Sequence, residues 1–244
     1  MNTYLLALRD NYVQSPGEND SNKRLTIANN NFSYFPPSIT HSPLFKKQNI
    51  LIKRLFDIVI SVAVILLLFW WMLPLIALLI KLDSSGPVFF IQKRNKKNGL
   101  LFGCIKFRTM LVNEDADLRT AIVNDNRITV LGAFLRKTHL DELPQFINVL
   151  LGDMSVIGPR PHMVTENAKF NWVLNFYSDR HLVKPGITGL AQSHGYHGPV
   201  IDLFHLDKKI KYDLFYIKNW SVVMDVKILI RTIGMIFRKL KPVQ

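Results

Sequence analysis

From Val59 to Ile80 the chain runs for 22 residues without a charged side chain, and this stretch limits what the rest can become. About 20 apolar residues are enough for a helix to cross a hydrocarbon core, so on hydropathy alone the simplest reading is a transmembrane helix. Two features favour another form. Lys46, Lys47, Lys53 and Arg54 precede the stretch, and Lys81, Lys93, Arg94, Lys96 and Lys97 follow it. Basic flanks of similar strength give the positive-inside rule no direction and suit a segment whose two ends both stay cytoplasmic. Pro74, inside the stretch, removes a helix hydrogen bond and favours a bend. Together they suggest a re-entrant helical hairpin over about residues 55–82 that dips into one leaflet and returns.

The rest of the chain is strongly basic. It carries 31 Lys and Arg against 18 Asp and Glu, a formal charge of +13. Residues 1–45 hold three of each sign, so the whole excess lies beyond them. That surface suits anionic lipid headgroups, phosphorylated substrates or nucleic acid, and charge alone does not choose among them. The first 45 residues, rich in Asn, Ser and Pro, read as a mobile N-terminal extension ahead of one domain over 46–244. Cys104 is the only cysteine, which rules out an intramolecular disulfide and a multi-cysteine metal site. The apolar run Tyr4–Leu8 is too short for a cleavable signal sequence.

The most chemical part of the sequence is THLDELPQFINVLLGDMSVIGPRP, from Thr138 to Pro161. Asp141 is expected to cap a helix whose first turn holds Glu142, Leu143 and Pro144, where a missing N–H costs nothing. Leu143, Phe146, Ile147 and Leu150 then share one apolar face, and Gly152 closes the helix. Ordinary capping explains such acids in isolation. Here Arg136 and Lys137 flank them on one side and Arg160 on the other, as expected if a polyanion approaches the helix mouth.

Around this centre, Pro87–Gln92 and Leu100–Phe107 read as two strands about an Asn-Lys-Lys-Asn-Gly turn, with Lys106 and Arg108 on one face near the end of the second. Residues 113–123, Val130–Lys137, His162–Phe176 and Asp202–Asn219 look helical, and KPGITGLAQSHGYHGP reads as a loop. In the last helix, Val222–Phe237, Lys227, Arg231 and the following Arg238 fall close together on one side. It is either a core helix with a solvated stripe or a basic amphipathic helix in the headgroup plane.

Six blocks in order carry a family resemblance: KRLFD, GPVFFIQKR, FGCIKFRTM, DNRITVLGAFLRKTHLDELPQFINVLLGDMSVIGPRP, KPGITGLAQ and YDLFYIKNWSVVMDVKIL. Over roughly Lys53–Lys239 the chain resembles the monotopic phosphoglycosyl transferases, bacterial sugar transferases that start exopolysaccharide, capsule or O-antigen assembly. The resemblance implies an α+β, helix-rich fold. A re-entrant membrane hairpin, a short β-hairpin and amphipathic interfacial helices would surround an active site facing the cytoplasm from the bacterial inner membrane. It also implies transfer of a sugar-1-phosphate from a UDP-sugar, here a UDP-hexose, to undecaprenyl phosphate, with anionic headgroups as lipid partners. A homo-oligomer is compatible with it.

Asp141 is then the carboxylate nucleophile and Glu142 the Mg²⁺ ligand, with Asp141 beside it at the metal. Lys106, Arg108, Arg136 and Arg160 would bind substrate phosphates. Asp213 is a candidate metal-site or acid–base group near the donor. Two departures stand out: Leu73 replaces a serine that often precedes the breaking proline, and His197 replaces an arginine held to bind the nucleotide sugar. Two other classes fit less well. A glycosidase needs carboxylates on opposite sides of a sugar, which adjacent acids cannot supply. A membrane-tethered nucleic-acid binder would explain the charge, but no nucleic-acid-binding signature is present, and nucleic acid is not an expected partner.

Overall fold

The computed structural model describes residues 39–113, 121–122, 125–174 and 176–240. Its first long element is a helix, α1, over Lys47–Asp83. The helix is α-helical to Val64, widens into π geometry over Ile65–Phe69, and is α-helical again from Trp70. The irregular turn therefore precedes Pro74, whose ring cannot donate to the carbonyl a turn before it. The indole N–H of Trp71 donates to the Leu67 carbonyl at 2.9 Å, an alternative to the missing serine hydroxyl as a local side-chain partner. Only 11% of the apolar window of α1 is buried, which sets it apart from the core helix of a water-soluble domain.

Both ends of α1 dock onto the rest of the chain. Near its start, Arg54 donates to the Val149 and Leu150 carbonyls at 2.6 and 2.7 Å. Near its end, Ile76 and Ile80 form a buried cluster with Phe107 and Leu135. Arg108 closes this end by donating to the carbonyls of Ser84 and Ser85, so its guanidinium is spent on the helix C-terminus.

Strands β1 (Phe89–Asn95) and β2 (Leu101–Phe107) form an antiparallel hairpin with Phe89 opposite Phe107 and Asn95 opposite Leu101. Helix α2 (Val130–Thr138) starts where the Thr129 hydroxyl accepts from the Gly132 N–H, and ends at His139 in the left-handed conformation. A 3₁₀ turn, Leu140–Glu142, leads into α3 (Gln145–Leu151), which closes at Gly152 with φ +88°. Asp141 is therefore not the cap of α3: Pro144 stands there, with no side-chain hydrogen bond. The buried face also differs from the expected one. Gln145, Asn148 and Val149 point inward, while Leu143, Phe146, Ile147 and Leu150 are half-buried. Asn148 explains this, because it accepts from the Ile105 N–H at 2.9 Å and donates to the Gly103 carbonyl at 2.8 Å, fastening α3 to β2.

Beyond α3, β3 (Ser155–Ile157) pairs in parallel with β4 (Gly186–Thr188), separated by α4 (Val164–Val173) and a 3₁₀ segment, Tyr177–Leu182. The expected loop from Lys184 thus contains a strand and a helical turn, α5 (Leu190–Ser193). Period-based reading misses β4 because it is three residues long between glycines. Helix α6 (Leu203–Asn219) is capped by Asp202 and buries Leu206, Ile210, Leu214 and Ile217 along one face. Helix α7 (Val222–Leu240) has three faces: Asp225 and Ile228 are buried, Val223, Val226, Ile230 and Ile233 are exposed, and Lys227 and Arg231 lie beside them.

The expected N-terminal boundary shifts. Ile39 and Leu44 are buried, and the Ser42 hydroxyl donates to the Ile217 carbonyl at 2.5 Å, so residues 39–45 belong to the body. The rest of the expected extension, and most of the helix expected over 113–123, lie outside the described residues; Asn113, Ala121 and Ile122 are not helical.

Candidate active site

Cations from three other segments converge on the acid pair. Lys106 comes from the end of β2, Arg136 from the last turn of α2, Asp141 and Glu142 from the 3₁₀ turn, and Arg160 from the loop after β3. The last placement depends on two glycines. A Cβ on Gly186 would lie 2.1 Å from the Gly158 nitrogen, and one on Gly158 would lie 2.8 Å from the Lys184 carbonyl, so the two strand ends touch only because both side chains are absent. The Gly158 N–H donates to Thr188 and the Gly186 N–H to Pro159, both at 2.9 Å, which locks the Arg160 loop in place.

The two acids are treated differently. Glu142 is fully engaged: Lys106 reaches Oε1 at 2.8 Å, and Arg160 grips both oxygens, Nη2 to Oε1 at 2.5 Å and Nη1 to Oε2 at 3.0 Å. Burial pushes the Glu142 carboxyl up, but Arg160 and Lys106 outweigh it and hold it well below the ordinary range. Asp141 is 8% exposed, and its carboxylate has no hydrogen-bond partner among the described residues. Burial and the charge of Glu142 push it up to about 6 against the pull of Lys106, Arg136 and Arg160. Arg136 is steadied by its Nε donating to the Thr109 hydroxyl at 2.8 Å. The anion-attracting element is thus a set of cationic side chains rather than the expected helix mouth.

Two expected ligands are not brought to the pair. Arg108 caps α1, as described above. Asp213 is buried against Arg180, whose Nη2 and Nε reach its Oδ2 at 2.7 and 3.1 Å, so its charge is already matched. A strand-face argument could not tell Arg108 from Lys106, because the chain leaves the strand between them at Phe107. His197 lies at the rim, edge-on to His139 with ring centroids 6.4 Å apart, and His139 is two residues before Asp141. The next residue, Gly198, anchors this loop: its carbonyl accepts from the buried Lys209 ammonium at 2.7 Å. Burial and Arg160 draw that ammonium down to about 8. Arg94, Arg180 and Lys209 carried no sequence signal that separates them from surface cations.

The donor set favours a hard cation. Carboxylate oxygens suit Mg²⁺, which is commonly held by one or two carboxylates plus substrate phosphates; Asp141 could ligate as it stands, whereas Glu142 would have to give up contacts to Lys106 or Arg160. Among the described residues no group of three or more His, Cys, Asp or Glu is arranged to hold a metal ion, so phosphate oxygens and water would complete such a site.

The model of one family, described as bacterial sugar transferase, matches residues 48–239. The chain belongs to the bacterial sugar transferase family. Members similar to it include the UDP-glucose:undecaprenyl-phosphate glucose-1-phosphate transferase of Klebsiella pneumoniae, 48% identical over 196 residues, 78% of this chain and 42% of that protein. The UDP-N-acetylgalactosamine-undecaprenyl-phosphate N-acetylgalactosaminephosphotransferase of Aeromonas hydrophila is 44% identical over 80% of this chain and 45% of its own length. The exopolysaccharide production protein PSS of Rhizobium leguminosarum bv. phaseoli is 43% identical over 76% of this chain and 95% of its own length. This chain therefore spans less than half of the first two family members and nearly all of the third.

Proposed function

We propose that the chain transfers a sugar-1-phosphate from a UDP-hexose to undecaprenyl phosphate at the cytoplasmic face of the bacterial inner membrane. The observation that carries this reading is the asymmetry of the acid pair: an Asp141 carboxylate with no hydrogen-bond partner among the described residues, beside a Glu142 already held by Lys106 and Arg160. In the first step an Asp141 oxygen attacks the sugar-bearing phosphorus. The bond to the bridging oxygen breaks, and UMP leaves with the electron pair. In the second step an oxygen of undecaprenyl phosphate attacks the same phosphorus, returns the carboxylate of Asp141, and gives undecaprenyl diphosphosugar. Lys106, Arg136 and Arg160 would draw in and orient the diphosphate. Glu142 and Asp141 would hold Mg²⁺, which when bound offsets charge developing on the departing phosphate.

Membrane placement follows the same reasoning. Arg54 and Ile80 dock the two ends of α1 onto one body, which supports a helix that enters a leaflet and returns. The exposed apolar face of α7 beside Lys227 and Arg231 supports a helix lying among anionic headgroups. The names of similar proteins, which cover glucose and N-acetylgalactosamine, support the donor class.

UMP release from a panel of UDP-sugars, in vesicles containing undecaprenyl phosphate, tests the activity; UDP-glucose should be used faster than UDP-N-acetyl sugars, and no release from any donor would overturn the reading. Single cysteines at Lys47 and Lys97 should be labelled from the same side of sealed vesicles. Labelling from opposite sides would mean that α1 crosses the membrane.

A further inference from the structure

The main chain of the Arg160 loop is held by two arginines, Arg180 buried and Arg94 half-buried. Arg180, from the Tyr177–Leu182 segment, donates from Nη2 to the Arg160 carbonyl at 2.6 Å, and Arg94 of β1 donates from Nη1 to the carbonyl of Pro161. Two consecutive carbonyls are thus fixed by two guanidinium groups. Arg180 is itself fixed on every side. Asp213 of α6 takes its Nε and Nη2, while His162 Nδ1 and the Tyr177 hydroxyl lie 3.0 and 3.2 Å from Nη1. Asp213, His162 and Tyr177 are all buried, and Arg180 is 3% exposed, so its position tolerates little drift.

We infer that Arg180, oriented by Asp213, is a positioning residue that sets how Arg160 meets Glu142. A guanidinium that must serve a carboxylate and a backbone carbonyl together uses its planar fork, which an ammonium cannot reproduce. Releasing the Arg160 carbonyl lets its Cα shift, and the two-point grip on Glu142 at 2.5 and 3.0 Å loosens. Misplacement by about 1 Å is enough to cost on the order of a hundredfold in rate. The inference rests on the proposed transfer reaction, and it gives Asp213 an indirect role in place of the expected metal or acid–base one.

A double-mutant cycle separates this role from general support of the fold. Arg180→Lys should lower kcat for UMP release by about tenfold or more, with donor KM little changed. In an Arg160→Ala background the same substitution should cost almost nothing further, because the group it positions has gone. Asp213→Asn, which keeps shape and frees Arg180, should give the same pattern more weakly and serves if Arg180→Lys folds poorly. Equal fractional losses in both backgrounds, or an unchanged kcat, would overturn the inference. Thermal melting supplies the same cycle without turnover, with Tm losses less than additive if Arg180 acts through Arg160 and additive if it does not. Absence of UMP release by the unsubstituted protein would instead count against the transfer reaction, leaving the melting cycle to judge the positioning role.

Discussion

Two clusters that bring carboxylates and lysines together are finished differently. Where α1, β3 and α7 meet, Lys53 lies between Asp57 and Asp225, 3.5 and 2.8 Å from their oxygens. Asp57 also accepts from the Ser155 hydroxyl and the Val156 N–H, and Asp225 from the Tyr216 hydroxyl and the Trp220 indole. Each acid there has several donors. At the proposed active site Glu142 is just as fully partnered, but the Asp141 carboxylate beside it has no hydrogen-bond donor among the described residues. A buried carboxylate with no donors is a cost to the fold, whereas one surrounded by donors is an integral part of it. The same residue types therefore give a rigid junction in one region and a reactive group in the other.

Substitutions at the two places should behave oppositely. Asp141→Asn should reduce UMP release by about 10⁴-fold or more, as expected for loss of a nucleophile, and should at the same time raise Tm at pH 7. Asp225→Asn should do the reverse: removing one partner of a buried ion pair costs about 3–5 kcal/mol, read as a large fall in Tm, while any folded fraction keeps its turnover number. If both substitutions lowered Tm equally, the distinction between the regions would fail. Glu142→Gln sharpens the comparison within the site. It keeps the shape but weakens the hold of Lys106 and Arg160, so kcat should drop by roughly a hundredfold and more Mg²⁺ should be needed for half-maximal rate.

The smallest expected effect depends on pH. Asp141 titrates near 6 in the fold against an ordinary value of 3.8, so its ionised form is disfavoured in the folded state. The associated cost is absent below about pH 3.8, grows between the two values, and is complete above pH 6. The Tm advantage of Asp141→Asn, about 2–4 °C for each kcal/mol recovered, should therefore shrink as pH falls from 7 toward 4. An advantage independent of pH would assign it to packing instead.

Much of this was legible in the sequence, and the exceptions have a common cause. The long apolar helix, the β-hairpin and α6 follow from hydropathy and period, and Lys106, Arg136, Asp141, Glu142 and Arg160 do converge. Period could not reveal that Asn148 of α3 faces inward, because that face is set by hydrogen bonds to β2 rather than by apolar burial. Arg108 and Asp213 looked like ligands because their charges were visible and their partners, α1 carbonyls and Arg180, were not. Gly158 and Gly186 were conspicuous as residues, but that their backbones touch is a fact of the fold.

Intact-mass spectrometry after mixing with donor sugar alone, without undecaprenyl phosphate, tests the central claim most directly. The account predicts that the unsubstituted protein gains the mass of one phosphosugar, that UMP appears in equal amount, and that Asp141→Asn gains nothing. Turnover without any adduct, or an adduct that persists in Asp141→Asn, would contradict it.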